Sequence, residues 1–205
     1  TNYYGTYSSA VTATIPPAKV TGVKLEKRSS QYLTLKWDKI SGASGYRVYK
    51  YNSSKKTYES VATISGGATT SYKVTGLKDV TEYKFKVKAY KKTDVETVWG
   101  SASSEYKTCT TPLKVRNLKL STKSSAVTPK WGKTNGAAGY QIYRYNSKTK
   151  KYDKVTTIKS GTTVSYTDKN LKKGTTYQYK VRAYKKYENS TLYGVCSTIT
   201  KIKVK

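Results

Sequence analysis

One stretch occurs twice in this chain and constrains the rest. Leu77-Lys-Asp-Val-Thr-Glu-Tyr83-Lys-Phe85-Lys-Val87-Lys-Ala89-Tyr90 is followed, one repeat later, by Leu171-Lys-Lys-Gly-Thr-Thr-Tyr177-Gln-Tyr179-Lys-Val181-Arg-Ala183-Tyr184. In each copy a turn leads into strict alternation, with Tyr83, Phe85, Val87 and Ala89 on one face and Lys84, Lys86, Lys88 and Tyr90 on the other. Period two over this length predicts a strand with one face in a core and one in water. Leu77, six residues before Tyr83, predicts a tyrosine corner, in which the phenol hydroxyl bonds back to backbone at the corner of a β-sandwich.

The duplication extends over most of the chain. Trp37 matches Trp131, Gly45-Tyr46 matches Gly139-Tyr140, Ile64 matches Ile158, Tyr72 matches Tyr166 and Gly100 matches Gly194, each pair 94 positions apart. Before Trp37 the offset is 95, as in Lys19-Val20 against Lys114-Val115, so one residue is missing from the first hairpin loop of the second copy. A period this long means tandem domains and not a solenoid, whose units run about 20–50 residues.

Strands and turns alternate within the first copy. Lys19–Leu25, Tyr32–Asp38, Gly45–Asn52, Tyr58–Ile64 and Thr70–Val74 read as strands, followed by the corner, its long strand and a last strand after the Lys91–Val98 loop. Tyr46 and Val48 are expected inward, and Arg47, Tyr49 and Tyr51 outward. Pro129 replaces Leu35 inside a central strand, where it cannot donate to the ladder, so a bulge or displacement is expected there. Asp168 replaces Val74, which predicts an earlier end to that strand in the second copy. Tyr4-Gly5 repeats Trp99-Gly100 and Tyr193-Gly194, so residues 1–15 read as the last strand of a preceding repeat, in a parent with at least three repeats.

Composition agrees with an all-β chain. Only 36% of the 205 residues are hydrophobic, but 22 are tyrosine, which supplies apolar area to a core and keeps a hydroxyl near water. Helical periodicity is lacking, and no run approaches the roughly 18 apolar residues of a membrane helix. Neither a signal peptide nor a sorting signal is evident, and the chain reads as a piece of something longer.

The phrases Gly45-Tyr-Arg-Val-Tyr49, Gly139-Tyr-Gln-Ile-Tyr143 and Lys86-Val-Lys-Ala-Tyr90, with the two corners, make the chain resemble tandem fibronectin type III repeats. The resemblance is strongest to bacterial ones, rich in lysine, threonine and tyrosine, from secreted or surface proteins of Gram-positive anaerobes. It implies two seven-stranded, immunoglobulin-like Greek-key sandwiches, residues 16–111 and 112–205, without a disulfide between sheets. In such proteins the repeats act as spacers beside wall-anchoring, carbohydrate-binding or hydrolase modules, and some are proposed to bind polysaccharide. The resemblance also places Cys109, at the end of the first repeat, and Cys196, after the last loop of the second, near the domain junction. Either an inter-domain disulfide or two independent thiols is consistent with that placement.

No active site is legible. The chain has no histidine, the commonest general base and metal ligand. Its 11 acids are scattered, and only Glu59/Asp153 and Asp94/Glu188 recur as acids in both copies. Asp94 and Glu96 form a single exposed acid pair, a weak calcium site. Gly66-Gly67 reads as a turn and not a phosphate cradle. No catalysis, metal or cofactor is expected.

Charge shapes the choice of partner. Forty lysines and arginines against 11 acids give a net +29. Such a chain attracts polyanions without specificity, although lysines spread along every strand also solvate sheet faces and blunt sheet edges. The candidate binding face carries Arg47, Tyr49, Tyr51, Lys84, Lys86, Lys88 and Tyr90 in the first repeat. Gln141, Tyr143, Tyr145, Gln178, Lys180, Arg182 and Tyr184 match them in the second. Rings and long cations so arranged can stack on sugars and pair with phosphate or carboxylate. The same arrangement stabilises a solvated sheet with no ligand at all. Three readings stand: a spacer among neighbouring modules of one polypeptide, a module binding polysaccharide or anionic cell-wall polymer, and an adhesin for a host protein. Nucleic acid is the disfavoured partner, and a monomer is expected. Trp99, Tyr193 and Tyr4 are expected to pack at a domain pole.

Overall fold

The computed structural model describes residues 13–205 and contains no helix among them. The stretch expected to be an orphan strand falls, except for residues 13–15, outside the described residues.

The first sandwich comprises β1 (Lys24–Arg28), β2 (Leu33–Lys36), β3 (Gly45–Asn52), β4 (Thr57–Ser65), β5 (Ser71–Val74), β6 (Glu82–Lys92), β7 (Thr97–Trp99) and β8 (Tyr106–Cys109). One sheet runs β1-β2-β5; the other runs β4-β3-β6-β7, with β8 also on β6. The second sandwich repeats the plan with β9 (Lys119–Lys123), β10 (Ala126–Lys130), β11 (Gly139–Asn146), β12 (Lys151–Ile158), β13 (Thr176–Tyr187), β14 (Ser190–Tyr193) and β15 (Thr200–Lys203). Its larger sheet runs β12-β11-β13-β14, with β15 on β13. The first strand begins later than the expected Lys19–Leu25, yet Val20 ahead of it is buried.

Alternation decides what is inside. Leu33, Leu35, Trp37, Tyr46, Val48, Phe85, Val87 and Ala89 are buried, as are Val127, Trp131, Tyr140, Ile142, Tyr179, Val181 and Ala183 in the second sandwich. Fully burying one large apolar side chain contributes roughly 1.5–3 kcal/mol. Trp37 lies edge-on to Tyr46 at 5.4 Å, and Trp131 tilts against Tyr140 at 5.3 Å. Both buried tyrosines are satisfied. Tyr46 Oη accepts from Ile40 N and donates to Gly67 O, as Tyr140 does with Thr134 and Gly161. The tyrosine corners form as expected, with Lys78 N donating to Tyr83 Oη at 2.8 Å and Lys172 N to Tyr177 Oη at 3.1 Å.

The residue lost from the second copy tightens its first hairpin. Only Ser124 and Ser125 connect β9 to β10, and both have positive φ, 47° and 59°. That is the backbone of a type I′ turn, whose twist matches the strands it joins.

Pro129 does not bulge its strand. β10 pairs β9 without a register shift, Pro129 opposite Leu120. The loss appears on the neighbouring strand instead. Val127 and Asp168 exchange both backbone bonds, but at the next such pair Tyr166 N donates to Pro129 O and proline has no N–H to return. Residues 165–168 are left as two isolated bridges, where the first sandwich has β5. The expected shortening at Asp168 therefore begins at Pro129.

The last strand of each sandwich is split, which the sequence reading did not anticipate. Between β7 and β8, Ser103 turns inward; its N–H donates to Val87 O, and its Oγ accepts from Val87 N at 3.0 Å. Ser197 makes the same pair with Val181. The serine hydroxyl replaces the carbonyl that an unbroken strand would supply, so the buried N–H stays satisfied across the break.

Candidate functional site

The outer face of each larger sheet is a lattice of rings and cations set by strand register. In the second sandwich Tyr143 stands opposite Lys180, Gln141 opposite Arg182, and Tyr184 opposite Tyr193. Lys180 Nζ lies 4.2 Å from the Tyr152 ring and 5.9 Å from Tyr143; Arg182 Cζ lies 5.2 Å from Tyr143 and 4.0 Å from Tyr193. Tyr145 stacks at 5.3 Å on Tyr152. Gln141 Oε1 receives Arg182 Nε, Arg182 Nη2 and the Tyr143 hydroxyl, while Tyr152 donates to Gln178.

The first sandwich builds the same lattice with its arginine moved. Arg47 on β3 covers Trp99 at 4.2 Å and donates to Thr63, whereas in the second sandwich Arg182 on β13 covers Tyr193. The ring next to the break in the last strand thus keeps its cation, supplied from β3 in one sandwich and from β13 in the other. Lys86, opposite Tyr49, lies 4.6 Å from Tyr58, which packs against Tyr51 at 5.2 Å and donates to Glu105. Lys88 stands opposite Arg47, and Lys84 and Lys88 are half-buried. Burial raises the Tyr58, Tyr143 and Tyr152 phenols above their ordinary range, with the Glu105 carboxylate adding to the shift at Tyr58.

Two expected site residues are nearly buried. Tyr90 and Tyr184 point to the outer face but are only 9% and 6% exposed. Each ring lies across the glycine that opens the neighbouring strand. A Cβ at Gly45 would collide with Ile64 O and sit 2.6 Å from Tyr90 Oη, and Gly139 is covered likewise by Tyr184. Trp99 packs on Tyr90 at 5.0 Å and Tyr193 on Tyr184 at 6.4 Å, so both pack on the sheet face. Tyr4 lies outside the described residues.

The recurring pair Glu59/Asp153 is structural. Asn52 donates to Glu59 and accepts from the N–H groups of Ser54 and Lys55, and Asn146 does the same with Asp153, Lys148 and Thr149. Each acid locks the turn ahead of its strand. Among the described residues no group of three or more metal-ligating side chains converges. Cys109 and Cys196 are free thiols. Cys109 is buried, and its thiol donates to Thr110 O.

Two of the recesses of the second sandwich bear on these residues. An open groove of about 450 Å³ beside the lattice is lined by Gln141, Tyr184, Lys186 and Tyr193. A second, of about 570 Å³, includes Arg144, Asp153, Asp168 and Tyr177. There Asp168 Oδ2 accepts from Arg144 Nη1 and from the Tyr179 hydroxyl, both at 2.7 Å. The sequence reading missed this triad. Its signal was present: Arg144, Asp168 and Tyr179 replace Lys50, Val74 and Phe85 together.

The two antiparallel sandwiches have the fold of tandem fibronectin type III domains. Residues 18–101 match the family model described as Fibronectin type III domain. The chain is 28% identical over 179 residues to a Kelch domain-containing protein of Saccharolobus solfataricus, covering 85% of this chain and 23% of that protein. It is 26% identical over 175 residues to Neogenin of Rattus norvegicus, covering 82% of this chain and 13% of that one. It therefore spans less than a quarter of either relative. A two-domain fibronectin type III segment from chicken tenascin superposes with a TM-score of 0.50 at 16% identity, over 90% of this chain and 99% of that segment. That likeness concerns the fold alone.

Proposed function

We propose that this chain is a non-catalytic spacer and interaction segment of a larger secreted or cell-surface protein, of the kind found in Gram-positive anaerobes. Its repeats span residues 16–111 and 112–205, and it acts as a monomer beside neighbouring modules of the same polypeptide. The observation that carries this reading is the pairing of the outer lattice within the chain. Arg47, Lys86, Lys180 and Arg182 each lie over rings of their own sheet. Such contacts are worth about 0.5–1 kcal/mol each at exposed sites, and a ligand would have to displace them. The test is retention on insoluble polysaccharides and purified cell walls from low to high salt. A spacer shows at most retention that salt abolishes, because screening removes the attraction of a +29 chain for polyanions.

The groove beside Tyr193, a ring 39% exposed, favours a second reading in which this face grips polysaccharide or an anionic cell-wall polymer. On that reading retention survives high salt and is lost in Tyr143→Ala, with thermal stability kept.

A further inference from the structure

We infer that the recess around Asp168 in the second sandwich is a saccharide-binding pocket, separate from the ring-and-cation face and particular to this repeat. The inference goes beyond the spacer reading and does not rest on it.

The recess is built on a buried charge. The Asp168 side chain is 8% exposed, against 36% for its partner Arg144. Both Arg144 and Tyr179 bond to Oδ2, which leaves Oδ1 with no hydrogen-bond partner among the described residues. Asp168 also lines the recess, so a buried carboxylate borders it with one oxygen's acceptor capacity unused.

Stability does not explain the triad. The first sandwich closes the corresponding places with Val74 and Phe85, both buried, and carries Lys50 where the second has Arg144. Replacing a buried ion pair with well-packed apolar residues is commonly neutral or stabilising. The second repeat instead keeps a carboxylate, a guanidinium and a phenol in mutual contact. Two of these departures, Arg144 and Asp168, border the recess, and the third, Tyr179, is buried behind Asp168; together they point to a ligand.

The surrounding groups select its class. An anion entering would meet Asp168 and Asp153, and a cation would meet Arg144, Lys148 and Lys154 on a chain of net charge +29. A neutral polyol avoids both penalties, because each hydroxyl donates and accepts. One hydroxyl can donate to Asp168 Oδ1 and a neighbouring one can accept from Arg144. Tyr177 adds a ring held in place by the corner bond to Lys172 N. A volume of about 570 Å³ lies within the usual range for small-ligand sites.

The test is amide NMR of the whole chain titrated with cellotetraose, chitotetraose and mannotetraose. Shifts are expected with at least one sugar at residues 144–153 and at Asp168, and not at residues 50–59. Asp168→Asn should weaken that binding about tenfold or more, since loss of a charged acceptor removes a strong bond. The amide oxygen would keep facing Arg144 and Tyr179, turning its NH2 toward the recess. The triple variant Arg144→Lys, Asp168→Val, Tyr179→Phe carries the first repeat's residues and should fold without binding. The proposal is overturned by silence with all three sugars, by shifts confined to Tyr143 and Arg182, or by binding that persists in the triple variant. Shifts at Tyr143 and Arg182 would count instead against the spacer reading.

Discussion

Asp168 and Tyr179 meet at 2.7 Å inside the second sandwich, phenol to carboxylate, where the first sandwich has Val74 and Phe85. A buried polar pair of this kind is held by mutual satisfaction, so removing one member costs more than exchanging all of them. Asp168→Val alone leaves the Tyr179 hydroxyl without an acceptor and should lose about 1–3 kcal/mol. Adding Tyr179→Phe and Arg144→Lys should recover most of that. Urea unfolding with an unchanged m-value checks both; a single variant as stable as the parent would remove the network from the account.

Alkaline pH should test the buried phenols. Burial, then the bond to Asp168, pushes the Tyr179 phenol far above its ordinary value, and burial followed by Glu105 does the same at Tyr58. A phenol with a raised folded pKa favours the fold while neutral. That contribution is complete below about pH 10 and is lost as pH rises through the folded value. Absorbance at 295 nm should show Tyr179 and Tyr58 resisting ionisation until the chain unfolds. Tyr179→Phe should make stability fall less steeply above pH 10.

Ser103→Ala and Ser197→Ala each orphan a buried strand N–H, that of Val87 or Val181. The expected cost is about 1–3 kcal/mol apiece. Hydrogen exchange at those two amides should accelerate more than at the Ala89 and Ala183 amides. Equal acceleration across the strand would mean general destabilisation and no special role for the serine.

The two cysteines should react at different rates. Burial raises the Cys109 thiol pKa and shields it, whereas Cys196 is half-buried. A thiol-disulfide reagent such as DTNB should label Cys196 first, with Cys109 following at the rate of unfolding. A pair that resists labelling until a reductant is added would instead indicate a disulfide.

Much of the sandwich was legible because its signals are local. Alternation at Tyr83–Ala89, the Leu77–Tyr83 spacing and the matched tryptophans each report which side of a strand is buried, and the structure places them accordingly. The candidate face was legible in direction but not in accessibility. Alternation puts Tyr90 outward, and it is the absent side chain of Gly45 that lets its ring lie flat against the neighbouring strand. Pro129 was read as damage to its own strand. In an antiparallel ladder, however, a residue's N–H and C=O point to the same neighbour, so the loss fell on residues 165–168.

By itself the sequence determined two β-sandwiches, their repeat and the residues of their cores, because inward and outward positions follow from a period of two along one strand. The tertiary structure alone decided which surface groups are already occupied. Arg182 over Tyr193, Ser197 on Val181 N and Asp168 between Arg144 and Tyr179 are contacts from one chain segment to another and not within a strand. Their partners depend on register and sheet packing, which no local period encodes.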